Sequence, residues 1–81
     1  MKRSRMEIIY DILTSIDRGV KSKTRIMYAA NLDWRSFSKY ISFLEEEGFV
    51  SRNGNGYVLT EKGRIFISKL REIEELLTVT I

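Results

Sequence analysis

Arg35, Ser38, Lys39 and Ser42 are separated by three, one and three residues, so on a helix turning about 100° per residue they share one side. Their chemistry is hydrogen-bond donation and positive charge, suited to groups with exposed lone pairs or to phosphates. A second basic cluster, Lys21, Lys23 and Arg25, lies upstream, and Arg52, Asn53 and Asn55 form a third group downstream. Reactions need other side chains. The 81 residues include no Cys and no His, which removes thiolate chemistry, disulfides, the usual zinc nitrogen and the commonest acid-base group. No nucleotide loop and no carboxylate pair presents itself, and Glu45, Glu46 and Glu47 read as a solvated helix end. A binding module is expected, not an enzyme, with no cofactor, metal or small-molecule ligand.

A chain of 81 residues that is 43% hydrophobic makes one domain, residues 1–81, near the lower size limit for a single core. No run approaches the length of a membrane span. The basic start Met1-Lys2-Arg3-Ser4-Arg5 is followed by Asp11 and Asp17 with no small-residue cleavage site, so it is not read as a signal peptide. These features suit a cytoplasmic protein without membrane contact. Fourteen Lys and Arg against eleven Asp and Glu give a net charge of +3, with a pI near 9.4. That surplus suits nucleic acid, but its distribution carries more weight.

The elements that must position these groups follow from periodicity. Helix 1 is expected over Arg5 to Arg18, with Met6, Ile9, Leu13 and Ile16 on one stripe, Ile12 beside it, Glu7, Asp11 and Asp17 facing away, and Gly19 as the stop. The basic prefix is either a solvated, frayed end or an arm along phosphates. Ser22 caps helix 2, Lys23 to Ala30, whose apolar side is Ile26, Met27 and Ala30. Asn31-Leu32-Asp33 forms a turn in which Asn31 tolerates left-handed φ, Leu32 plugs the core and Asp33 caps helix 3. Helix 3 covers Trp34 to Glu47, with Trp34, Phe37, Ile41 and Leu44 inward, Tyr40 at the margin, and Arg35, Ser38, Lys39, Ser42 and Glu46 outward. Phe43 fits neither side and covers a seam or touches a partner. The acidic end at Glu45 to Glu47 opposes the helix dipole and is expected to point away from phosphate.

Two short strands follow, Phe49 to Arg52 and Gly56 to Leu59, joined by Asn53-Gly54-Asn55, in which Asn-Gly is the hairpin pair. The hairpin is expected to lean on the helices through Phe49, Val50 and Val58, with Tyr57 packing the hairpin in preference to stacking on a base. Thr60 caps a last helix from Glu61 to Leu77 that tolerates Gly63, and Thr78 to Ile81 is a short β-branched tail. Phe66, Leu70, Ile73 and Leu77 repeat at four, three and four residues, the rhythm of a helix-pairing seam, with Ile65, Ile67 and Leu76 broadening it. That stripe is core or a homodimer seam, and a dimer would enlarge a small core.

The fold expected is mainly α with a β-hairpin, a winged helix-turn-helix in the order helix-helix-helix-strand-strand-helix. Its helix 3 would enter the major groove of double-stranded DNA, with Arg35 on guanine edges or phosphate and Lys39 on the backbone. The candidate contacts are Lys21, Lys23, Thr24, Arg25, Arg35, Ser36, Ser38, Lys39, Ser42, Arg52, Asn53 and Asn55. The plain alternative is that these are ordinary exposed residues, and turn chemistry alone explains both Asn residues equally well. A sequence-responsive transcriptional regulator, an architectural protein coating duplexes and a protein-interaction winged helix all remain open on this pattern.

The run Lys21-Ser22-Lys23-Thr24-Arg25-Ile26-Met27-Tyr28-Ala29-Ala30-Asn31-Leu32 also resembles archaeal winged-helix DNA-binding proteins. So do Lys39-Tyr40, Phe43-Leu44, Gly48-Phe49-Val50 and Tyr57-Val58-Leu59-Thr60-Glu61-Lys62-Gly63. The nearest group is the Sulfolobus-type ten-kilodalton chromatin proteins and regulators, and the likeness covers nearly the whole chain. It implies a recognition helix on Trp34 to Glu47, a wing on Arg52 to Tyr57 and a dimer helix on Glu61 to Leu77, without a cofactor. Ending at Ile81, the chain departs from the longer members, which leaves a compact dimer, or one using other surfaces, in place of an extended coiled coil.

Overall fold

Ser4 starts the first helix with a reciprocal cap. Its hydroxyl accepts from the Glu7 N–H at 3.1 Å while its own N–H donates to Glu7 Oε1 at 3.0 Å, so two donors that a helix start leaves orphaned are satisfied. The computed structural model describes residues 3–80, with side chains to Leu77. In it α1 spans Arg5–Asp17, α2 Lys23–Ala29, α3 Trp34–Glu46, β1 Val50–Asn53, β2 Gly56–Leu59 and α4 Glu61–Thr80. The order is the expected one, with helix ends within one residue for the first three helices. Met1, Lys2 and Ile81 lie outside the described residues.

Helix ends obey one rule. Gly19, Asn31 and Gly48 have φ of 92°, 55° and 80°, and each ends the helix before it in a Schellman motif. The paired bonds are Gly19 N to Ile16 O and Val20 N to Ser15 O, Asn31 N to Tyr28 O and Leu32 N to Met27 O, and Gly48 N to Glu45 O and Phe49 N to Leu44 O. Starts are equally regular. Ser22 accepts from Arg25 N at 3.2 Å, Asp33 from Ser36 N at 2.8 Å and Thr60 from Gly63 N at 3.0 Å. The Thr60 hydroxyl itself donates to Gly48 O at 2.5 Å, tying the α4 start to the α3 end.

The core is built from Ile9, Ile12, Leu13 and Ile16 of α1, Ile26 and Ala30, Phe37, Ile41 and Leu44 of α3, Val50, Tyr57 and Leu59 of the hairpin, and Ile67 of α4. Several expectations change here. Met6 and Trp34 lie exposed, because each sits in the first turn of its helix, beyond the packed layer. Val58 points outward while Tyr57 and Leu59 point inward, since alternation in a strand sends neighbours to opposite faces. In α4 the deepest residue is Ile67, and Phe66 is half-buried against Phe49 with ring centroids 4.6 Å apart. The helix continues through Thr78 to Thr80, where a β-branched tail was expected.

The hairpin register pairs Val50 with Leu59, Ser51 with Val58, Arg52 with Tyr57 and Asn53 with Gly56. The two turn residues are thus Gly54 and Asn55, not Asn53 and Gly54. Gly54 takes φ of 61° and Asn55 is not among the positive-φ residues, as in a type II′ turn. The chain before α2 adds a third, minimal strand, because Ser22 bridges Gly56 antiparallel. A Cβ on Gly56 would stand 1.6 Å from Lys21 O, and one on Gly63 would stand 2.1 Å from Phe49 O. Both glycines are therefore places where two backbones touch. That contact accounts for a glycine inside α4.

Charged pairs hold elements from outside the core. Arg71 donates to Asp17 at 2.9 Å, joining α4 to α1. Arg3 pairs with Asp11 at 2.5 Å and donates to Asn31 O at 3.1 Å and to Ala30 O. Arg3 thus clips the prefix to the end of α2, so at this residue the prefix is neither a frayed end nor a free arm, and it places a cation on carbonyls at a helix C-terminus. Asp11 and Asp17, expected to face away, are the anchors of these pairs.

Candidate nucleic-acid interface

The outward side of α3 carries Arg35, Lys39 and Ser42 in the open, with Ser38 half-buried. Phe37, Ile41 and Leu44 on the opposite side are sunk in the core, which fixes the rotation of the helix and so the direction of its polar face. Ser36 is partly buried and its N–H is taken by Asp33 Oδ1 at 2.8 Å. This bond, followed by the Ser36 side-chain bond and the Arg35 charge, holds the Asp33 carboxyl below its ordinary value. The cap is thereby kept ionised at the helix start.

Around α2, Lys21, Thr24 and Arg25 are exposed and Lys23 is half-buried. Arg18, Gly19, Val20, Lys21, Ser22 and Arg25 line an open cleft of about 410 Å³. The Ser22 to Gly56 bridge lays this basic segment beside the wing. Asn53 and Asn55 are exposed on the hairpin, one at the end of β1 and one in the turn.

Arg52 lies on the inner side of the wing, across from Tyr57. Its Nε donates to Glu45 Oε2 at 3.1 Å, and this bond is the first cause of its raised pKa. Tyr57 is 3% exposed and meets Phe37 edge-on, with centroids 6.4 Å apart. Burial first, and then the Glu45 charge, push its phenol above the ordinary value, against an opposing pull from Arg52. A buried phenol facing Phe37 packs and has no room to stack on a base. Glu45 is therefore not simply solvated, as the acidic triplet suggested; it grips the base of the wing. Lys62 Nζ donates to Glu47 O at 2.6 Å and sits 4.7 Å from the centre of the Phe49 ring, so a cation offsets the acidic helix end.

The structure brings the three predicted groups into one connected unit: α3 to the wing through Glu45 and Arg52, the α2 segment to the wing through Ser22 and Gly56. Of the stripe on α4, Phe66 is turned inward onto Phe49, while Ile73 and Leu77 remain exposed. Tyr28, 73% exposed, and Trp34, 59% exposed, stand further out than the core or rim packing that their helical spacing suggests. The periodic stripe placed Trp34 in the core; the signal that it is not lay in its position directly after the Asp33 cap.

Comparison with known proteins gives the same architecture. Residues 2–78 match the model of the winged helix-turn-helix family. The chain is 53% identical to the uncharacterized protein MJ0287 of Methanocaldococcus jannaschii over 76 residues, 94% of this chain and 78% of the relative. It is 39% identical to MJ0290 of the same organism over 77 residues, 95% of this chain but only 36% of that protein. Among solved structures, Sso10a-2, described as a DNA-binding protein from Sulfolobus solfataricus, superposes with a TM-score of 0.69 at 28% identity, covering 96% of this chain and 88% of that one. With its element order, hairpin and matched length in agreement, the chain belongs to the winged helix-turn-helix family.

Proposed function

We propose that this protein binds double-stranded DNA as a homodimer and regulates transcription at the chromosome. The observation carrying the reading is the open face of Arg35, Lys39 and Ser42 on a helix whose other side is locked in the core, with the wing pinned beside it. A helix presented in this way fits a major groove, and basic side chains on α2 and the wing suit the flanking phosphates. The described likeness to a DNA-binding protein supports the same ligand. Lys21, Lys23, Thr24 and Arg25 would meet backbone, Arg35, Ser36, Ser38, Lys39 and Ser42 the groove, and Arg52, Asn53 and Asn55 the wing contact.

The dimer proposal rests on α4. Leu70, Ile73 and Leu77 line a groove with Met6 and Tyr10 of α1, an apolar floor rimmed by Glu7, Asp11 and Glu74, and Ile73 and Leu77 are each more than half exposed. Phe66 leaves the proposed seam and Met6 joins it. Two-fold pairing would set two α3 helices for successive grooves, about 34 Å apart.

Selection of bound duplexes from a random pool tests the reading. Enrichment of a pseudo-palindrome with half-sites one helical turn apart is expected. Uniform recovery with steep salt dependence would replace the regulator with an architectural coat. Failure of any duplex to bind at low salt would remove DNA as the ligand and leave a protein-interaction winged helix.

A further inference from the structure

Trp34 is the single Trp of the chain and the first residue of α3. It is 59% exposed while Phe37, Ile41 and Leu44 on the same helix are buried. One side of the indole rests against Phe37, with centroids 6.2 Å apart and ring planes tilted by 33°. The ring is thus supported from within and open outward. An exposed Leu needs no explanation, but a large supported aromatic in the open does. Around the helix, Trp34, Ser38 and Glu45 fall within about 40° of one another, and Glu45 grips the wing. Trp34 therefore stands at the edge between the buried stripe of Phe37 and Ile41 and the reading face, in the half of α3 that carries Arg35 and Lys39 and lacks the acidic residues.

We propose that Trp34 is itself a DNA-contacting residue, laying its ring on the groove wall of a duplex and donating its indole N–H to a phosphate oxygen. This rests on the duplex-binding reading. The occupant follows from charge: the neighbouring exposed cations Arg35 and Lys39 attract a polyanion, and a duplex seated on the reading face of α3 meets its edge. Indole suits that surface, since its ring can cover deoxyribose and thymine methyl groups while its only polar atom is a donor.

The test uses the full chain and a duplex from a random pool. Anisotropy of the labelled duplex reports binding, and acrylamide quenching of Trp34 in free and saturated protein reports its burial without interference from any other Trp. Binding is expected to lower the quenching constant about threefold or more. Trp34→Ala is expected to weaken affinity roughly tenfold with an unchanged melting curve, and Trp34→Phe to recover most of it. Saturable anisotropy with unchanged quenching, or full affinity in Trp34→Ala, would overturn the role of Trp34 and leave duplex binding standing. No anisotropy change at low salt would overturn both.

Discussion

Arg52 Nε lies 3.1 Å from Glu45 Oε2, and this pair joins the wing to the last turn of α3 across seven residues of sequence. Only Nε is used among the contacts of the described residues, so the outer guanidinium nitrogens can face a phosphate. Replacing Arg52 with Ala is expected to leave the thermal midpoint within about 5 °C, because exposed ion pairs contribute little. The slope of log affinity against log salt should fall by about one unit. An unchanged slope would place Arg52 outside the interface.

Arg35 and Lys39 are exposed on the outward side of α3. Arg35→Ala should relax preference at one base position and cost about tenfold or more in affinity, and Lys39→Ala should weaken all duplexes alike. Neither side chain supports the core, so both variants should melt like the parent. Unchanged affinity of the double variant at fixed salt would reject α3 as the reader.

Gly56 is the point where the chain before α2 touches the hairpin, and a Cβ there would stand 1.6 Å from Lys21 O. Backbone cannot yield as a flexible side chain does. Gly56→Ala is expected to destabilise the fold by about 3 kcal/mol or more, with the wing displaced. Thermal denaturation checks this; a midpoint within a few degrees of the parent would show that the bridge is dispensable.

Ser36 N–H on Asp33, and Ser4 N–H on Glu7, lower both carboxyl pKa values below the ordinary 3.8 and 4.5. A depressed folded value means stability that is complete above the unfolded pKa and lost as pH falls through the folded one. Melting temperature should therefore decline as pH drops below about 4. Asp33→Asn keeps a capping oxygen without a titrating group, so its decline between neutral and acid pH should be smaller. An identical acid profile would show that the cap does not contribute to the acid limb.

Ile73 and Leu77 are exposed on α4 and line the groove with Met6. Changing both to Glu should yield a folded monomer, measured by sedimentation, with the core around Ile67 intact. A dimer surviving this change would move the seam elsewhere.

Local chemistry was readable because it acts over a few residues. Ser22, Asp33 and Thr60 begin helices by bonding an N–H three positions on, and Gly19, Asn31 and Gly48 end them by accepting positive φ. Phe37, Ile41 and Leu44 lie on one stripe by the helical repeat alone, so the polar face of α3 followed from them. The capping box at Ser4 and Glu7 is equally local, a Ser answered by a Glu three residues on.

Residues at the ends of elements and pairs distant in sequence were decided by the tertiary structure. Trp34 shares the periodicity of a core residue, but its first-turn position overhangs the packed layer, and how far that layer reaches along α3 is set by contacts between elements. Glu45 looked like one of three solvated acids until folding set Arg52 beside it. Gly56 and Gly63 looked like a strand residue and a helix weakness; each is a backbone crossing, with Lys21 and with Phe49. By itself the sequence determined which segments form helices and a hairpin, because hydrogen-bond caps and the 3.6-residue period are local. Only the tertiary structure decided which charges are held, which aromatics stand open and how the wing meets α3, because those depend on contacts between segments that no local spacing encodes.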